Sequence, residues 1–183
     1  MKLYITISGK AKAGKTLTAN ILKDELEKYG NKVAIVPFAG YLKYIAKQYY
    51  GWNGSKDEQS RTLLQQLGTE KVRPRHPNFW VDTVREFIEV FGNDFDYIIS
   101  DDCRFGNEIE FSSHYNISHL SIKVNRVNYD SGLTEIQKNH PSERALDNYK
   151  FNVYLEAETG KENLEREVRT KLFLSPDYRH LFE

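Results

Sequence analysis

One cysteine, Cys103, occurs in the 183 residues, which excludes an intramolecular disulfide and any zinc site built on several thiolates. It closes an apolar stretch and reads as a packing residue. An excess of either charge is also missing, since Lys and Arg number 26 and Asp and Glu number 26. That balance argues against a protein that grips nucleic acid through a broad basic face, and it suits a small anionic ligand. No run of about 18 apolar residues occurs, and Met1 leads directly into an alternating apolar stretch with no basic leader. The expectation is a cytoplasmic protein without a membrane partner. Repeats, low-complexity tracts and long linkers are absent as well, so the length points to a single α/β domain.

What is present is a succession of strand and helix patterns. Leu3–Ser8 is apolar and β-branched and runs up to Gly9, which predicts a strand. Residues 15–29 carry Leu17, Ile21, Leu22 and Leu26 at helical spacing, with Gly30 placed to end the helix. Residues 32–38 read as a second strand. A strand, a helix and a strand in so short a span require a crossover between parallel strands, and a doubly wound sheet follows. Helical patterns at 41–50 and 57–67 are closed by Gly51 and Gly68, and a third, at 80–91, follows the loop marked by Pro74 and Pro77. Residues 97–100 are wholly apolar and read as a buried strand with Asp101 and Asp102 at its end. Strands at 117–124 and 151–156 bring the sheet to about five, and a charged amphipathic helix at 161–174 closes the chain. Residues 125–148 read as a mobile segment.

Gly9-Lys10-Ala11-Lys12-Ala13-Gly14-Lys15-Thr16 places two glycines around a short loop that ends in Lys-Thr, between a strand and a helix. In that context the backbone N–H groups converge on an anion, the helix N-terminus adds partial positive charge, and Lys15 reaches the β and γ phosphates of ATP. Thr16 offers a hydroxyl to Mg²⁺, and Leu17 follows in the helix. Lys10 and Lys12 are either solvated loop charges or phosphate contacts. A carboxylate beside Thr16 completes such a site. Asp102 or Asp101 supplies it, and because adjacent strand residues point to opposite faces only one of them faces the metal. Arg104 projects to the side of Asp102 if the strand continues, where it orients an acceptor phosphate or pairs internally with Asp102.

Further segments resemble the phage-type deoxynucleoside monophosphate kinases, within the P-loop nucleoside monophosphate kinase fold. They are Phe38-Ala39 with Leu42-Lys43-Tyr44-Ile45-Ala46, Leu63-Leu64-Gln65-Gln66-Leu67-Gly68-Thr69-Glu70, Phe79-Trp80-Val81, Asp102-Cys103-Arg104-Phe105-Gly106-Asn107-Glu108 and His140-Pro141-Ser142-Glu143-Arg144-Ala145-Leu146-Asp147. The resemblance implies a three-layer α/β fold with a core at 1–37, 92–124 and 149–183, an acceptor-binding helical insertion at 38–91 and a lid at 125–148. It implies transfer of the γ-phosphoryl group of ATP to a deoxynucleoside 5′-monophosphate, with Mg²⁺ as cofactor.

By the same resemblance Lys43, Arg61 and Arg73 meet the acceptor phosphate, Gln65 and Gln66 its base edges, and Phe38 or Trp80 its base face. Ala39, Gly68, Thr69, Glu108 and Glu143 complete the acceptor set with His140, which reads as a structural residue or hydrogen-bond partner rather than a base. Arg126, Lys138 and Arg144 close from the lid, so that Lys15, Asp102, Arg104, Arg126 and Arg144 form the catalytic set. Thr159 and Gly160 border the adenine. Two positions depart from the family pattern: Gly40-Tyr41 replaces a polar residue and a proline, and Gly106 replaces a proline. Small nucleotides are the implied partners, and a homodimer is compatible. A kinase of another phosphorylated metabolite, such as phosphomevalonate, and a nucleotide-hydrolysing switch remain as competing readings.

Overall fold

A computed structural model describes residues 1–183. Five parallel strands form one sheet in the order β2-β3-β1-β4-β5: β1 Leu3–Ser8, β2 Val33–Ile35, β3 Tyr97–Cys103, β4 His119–Arg126 and β5 Val153–Ala157. Every residue of β1 is buried, as a central strand covered on both faces requires. Its alternation sorts the core into two layers. Leu3, Ile5 and Ile7 face one cluster, with Leu22 and Leu26 of α1 (Lys15–Lys28) and Leu164 and Val168 of α8 (Lys161–Val168). Tyr4 faces the other, with Leu42 of α2 (Gly40–Tyr49), Trp80 and Val84 of α4 (Phe79–Phe91) and Phe111 of α5 (Asn107–His114). Each fully buried aliphatic or aromatic side chain of these layers contributes about 1.5–3 kcal/mol.

The chain winds to one side of β1 for β2 and β3 and to the other for β4 and β5, so a crevice opens beyond the carboxyl ends of the strands. The glycine-framed loop of residues 9–16 lies there. No helix is long and apolar enough to cross a membrane.

Several boundaries differ from the sequence reading, each for a physical reason. β3 runs on to Cys103, so Asp101 and Asp102 lie within the strand. Pairing of Thr6 with Ser100 and of Ser8 with Cys103 leaves β3 one residue longer than β1 across this step, a bulge at the two aspartates. Gly68 does not end α3 (Glu58–Gln65); the chain continues in a wide π-type turn over Gln66–Val72, and the Gly68 carbonyl accepts a hydrogen bond from Trp80 Nε1 at 2.8 Å. The helix α5 carries no apolar stripe of its own beyond Ile109 and Phe111, and the sequence reading missed it. Residues 125–148, read as mobile, carry α6 (Glu135–Asn139), opened by a Thr134–Gln137 capping box, and α7 (Pro141–Arg144), capped by His140.

Candidate active site

Gly9 carries the loop past β4 so closely that a Cβ there would lie 2.6 Å from the Val124 carbonyl oxygen, and Gly14 holds a left-handed φ of 107° before α1 begins. Glycine is required at both. Lys15 folds back across the loop, its Nζ donating to the carbonyls of Gly9 and Lys10, each at 2.9 Å. Burial, and after it the Arg104 guanidinium, pull its pKa down to about 7, against the carboxylates of Glu143, Asp102 and Asp101. Ala11 and Ala13 are buried under the loop, whereas Lys12 is exposed with a φ of 61°. Leu17 packs on the core beneath.

The structure separates the two aspartates. Thr16 Oγ1 donates to Asp101 Oδ2 at 2.6 Å, on the α1 side of the sheet. Asp102 points to the α2 side, where it accepts from the Phe38 and Ala39 amides at 2.8 and 3.1 Å. Burial raises the Asp102 pKa, with Lys43 opposing the rise and Asp101 adding to it. Of the two candidates beside Thr16, Asp101 makes the contact and Asp102 does not. Nor does Asp102 pair with Arg104: the strand ends at Cys103, and Arg104 Nη1 turns to Glu143 Oε1 at 2.7 Å and the Ser142 carbonyl at 3.3 Å.

Beside the loop a cavity of about 240 Å³ opens between α2, α3, the turn at Gln66–Val72 and the end of β3. Phe38, Ala39, Leu42, Leu64 and Trp80 form apolar walls, and Lys43, Arg61, Arg73 and Arg104 bring four cationic side chains to it. Gln65, Gly68 and Thr69 line it as the sequence suggested, while Gln66 is exposed and lies outside its wall. Trp80 is 3% exposed and its indole N–H is spent on Gly68, so the ring is a fixed wall.

Glu108, 2% exposed, anchors this region. Its carboxylate accepts from the backbone N–H groups of Arg104 and Phe105 at 2.6 and 3.0 Å and pairs with Arg73, whose guanidinium lies 3.8 Å over the Phe105 ring. Burial raises its pKa and Arg73 opposes the rise. With both oxygens engaged, Glu108 positions its neighbours rather than offering a free acceptor. Phe105, Leu133 and Ser142 also line the cavity and were missed; Leu133 was legible only as an apolar residue in an otherwise polar segment.

Other predicted residues lie elsewhere. His140 is absent from the cavity wall: its Nδ1 accepts from the Ser142 amide at 3.2 Å as the cap of α7, while buried Nε2 has no hydrogen bond and sits 3.7 Å from Glu70. Burial lowers its pKa. Arg144 is exposed and turns to Asn139 and Asp147. Lys138 pairs with Glu135 at 2.9 Å and borders a second cavity. Arg126 does reach the loop, donating to the Lys12 carbonyl at 3.0 Å. Lys10 pairs with Asp147 and donates to the Glu143 carbonyl at 2.5 Å, so it binds the 141–147 segment. Thr159 and Gly160 are exposed at the start of α8, with the Thr159 carbonyl accepting from Asn163 at 2.7 Å.

No family model and no curated protein sequence matches the chain. Solved structures do. Shikimate kinase from Bacteroides thetaiotaomicron superposes with a TM-score of 0.51 at 15% identity, covering 92% of this chain and 95% of that one. Thymidylate kinase from Ehrlichia chaffeensis gives 0.48 at 12% identity over 92% and 97%. The Mycobacterium tuberculosis APS kinase bound to AMPPNP and APS gives 0.46 at 10% over 91% and 95%. The parallel five-stranded sheet with flanking helices is an α/β fold like that of the shikimate kinase.

Proposed function

We propose that the chain is an ATP-dependent kinase that transfers the γ-phosphoryl group to a deoxynucleoside 5′-monophosphate, giving the diphosphate and ADP. The observation that carries this reading is the junction of two sites. A phosphate loop with Lys15, Thr16 and Asp101 meets, at Asp102 and Arg104, a separate cavity rimmed by four cations and walled by apolar side chains. An acceptor with an anionic end and a flat body fits those two kinds of lining. Gln65, with donor and acceptor on one amide, suits a base edge. The segments resembling the phage-type kinases supply much of the wall, Leu64, Gln65, Gly68 and Thr69 from one and Arg104, Phe105 and Glu108 from another.

The mechanism is direct in-line transfer without a covalent enzyme intermediate, because phosphoryl transfer depends on positioning and charge neutralisation. The loop amides and Lys15 hold the donor phosphates, and Lys15 in its protonated form neutralises charge developing on the transferred group. Arg73, aimed by the buried Glu108 carboxylate, and Arg104 hold the acceptor phosphate. Residues 125–148 act as the lid, with Arg126 on the loop, and exclude water that would otherwise hydrolyse ATP. The oxygen donors Thr16 and Asp101 suit Mg²⁺, a hard cation, and would hold it; when bound it neutralises phosphate charge.

The test is an ADP-release assay run with each deoxynucleoside monophosphate, the ribonucleotides and phosphorylated metabolites such as phosphomevalonate. Turnover with at least one deoxynucleoside monophosphate, and formation of its diphosphate, is expected. Hydrolysis of ATP with no phosphorylated acceptor under any condition would overturn the reading.

A further inference from the structure

Glu143 borders both the acceptor cavity and a second cavity of about 340 Å³, which is bounded by Lys10, Tyr129 and Lys138 next to the phosphate loop. Its side chain is 6% exposed, and each carboxylate oxygen has a different master. Oε2 accepts the Ala11 amide of the phosphate loop at 3.1 Å, and Oε1 accepts Arg104 Nη1 at 2.7 Å. The same carboxylate is among the groups that hold Lys15 toward its charged form. Lys10 fastens the segment from outside through the Glu143 carbonyl and Asp147. An amide, an arginine and a nearby lysine are the donors a phosphoryl group also takes, and a carboxylate presents them with the same kind of anionic oxygen.

We propose that Glu143 is an internal substitute for the transferable phosphoryl group and that its displacement couples the two substrate sites. Without nucleotide its carboxylate fills the Ala11 amide and keeps Arg104 turned toward α7. The γ-phosphoryl group of ATP takes the amide, Glu143 withdraws, and Arg104 is released toward the acceptor phosphate. Donor binding therefore strengthens acceptor binding, and linkage requires that the acceptor strengthen donor binding by the same factor. Glu143 acts through Arg104 and is a positioning residue. The inference rests on the kinase reading above.

The experiment is a calorimetric titration of the full chain with each deoxynucleoside monophosphate, with and without saturating AMPPNP. It is repeated on Glu143→Gln and Glu143→Ala, with the fold of each verified by circular dichroism, and on Glu143→Asp as the conservative control. AMPPNP is expected to lower the acceptor dissociation constant of the wild-type chain about fivefold or more. Glu143→Gln and Glu143→Ala are expected to bind acceptor tightly without AMPPNP, so that the ratio approaches one, and Glu143→Asp to retain most of it. An unchanged ratio in either charge-removing variant, with both ligands still bound, would overturn the exchange and leave the kinase reading standing. Failure of the wild-type chain to bind AMPPNP would instead overturn the kinase reading and the exchange with it.

Discussion

Thr16 Oγ1 donates to Asp101 Oδ2 over 2.6 Å, tying the first turn of α1 to the central part of the sheet, while Asp102 beside it serves the opposite face. The two carboxylates should therefore fail differently. Asp101→Asn keeps the shape and removes the charge, and its magnesium requirement is expected to rise about 10- to 100-fold. Asp102→Asn is expected to raise the acceptor KM while the magnesium dependence stays in place. Steady-state rates measured across a magnesium series check both; equal magnesium shifts in the two variants would contradict the assignment.

On the proposed reading, Lys15 makes nucleotide binding pH-dependent. Its folded pKa is about 7 against an ordinary 10.5. Between these values the unfolded chain holds the proton that the folded one has lost, so this group's contribution to stability rises with pH across that window. Bound polyphosphate favours the charged form, so binding takes up a proton and AMPPNP affinity falls as pH rises above about 7. Titration calorimetry in buffers of different ionisation enthalpy reads that uptake directly. Lys15→Ala should abolish both the uptake and the transfer while remaining folded, and wild-type-like turnover in that variant would exclude the proposed mechanism.

Removing the Glu108 carboxylate leaves Arg73, whose side chain is 13% exposed, without its ion pair. Glu108→Ala is expected to lower stability by about 3–5 kcal/mol, read from urea unfolding midpoints. In Glu108→Gln the amide oxygen can still accept both backbone N–H groups, which share one carboxylate oxygen, while the ion pair with Arg73 is lost, so a smaller stability loss with a higher acceptor KM is expected.

Gly9→Ala forces a methyl group to within 2.6 Å of the Val124 carbonyl oxygen, a backbone atom that cannot turn aside. The strain is expected to cost about 1–3 kcal/mol and to displace the loop from β4. Thermal unfolding with and without AMPPNP checks this: the variant should melt lower and gain less from the nucleotide than wild type does.

The sheet and the glycine-framed loop were legible because their signals are local. Leu3–Ser8, the glycine-framed loop and the helix from Lys15 follow one another without interruption, and each needs only its own residues to be recognised. The π-type turn through Gly68 was not legible, because its continuation depends on Trp80, distant in sequence, donating to the Gly68 carbonyl. The same holds for the arginines. Sequence placed Arg73 and Arg104 near the acceptor, but their buried partners, Glu108 and Glu143, lie 35 and 39 residues away. Arg144, expected to close from the lid, is exposed and bonded to Asn139 and Asp147, while His140, a structural or hydrogen-bonding residue in the sequence reading, caps α7.

The extra residue of β3 at Asp101-Asp102 sets the regularity of the ladder against the proposed activity. Deleting either aspartate would bring the step from Ser100 to Cys103 into line with that from Thr6 to Ser8, giving a more regular ladder and one fewer buried carboxylate. Selection for thermal tolerance alone would not guard the paired faces on which the proposed chemistry depends. Breeding a hardier version therefore requires selection for turnover at every round.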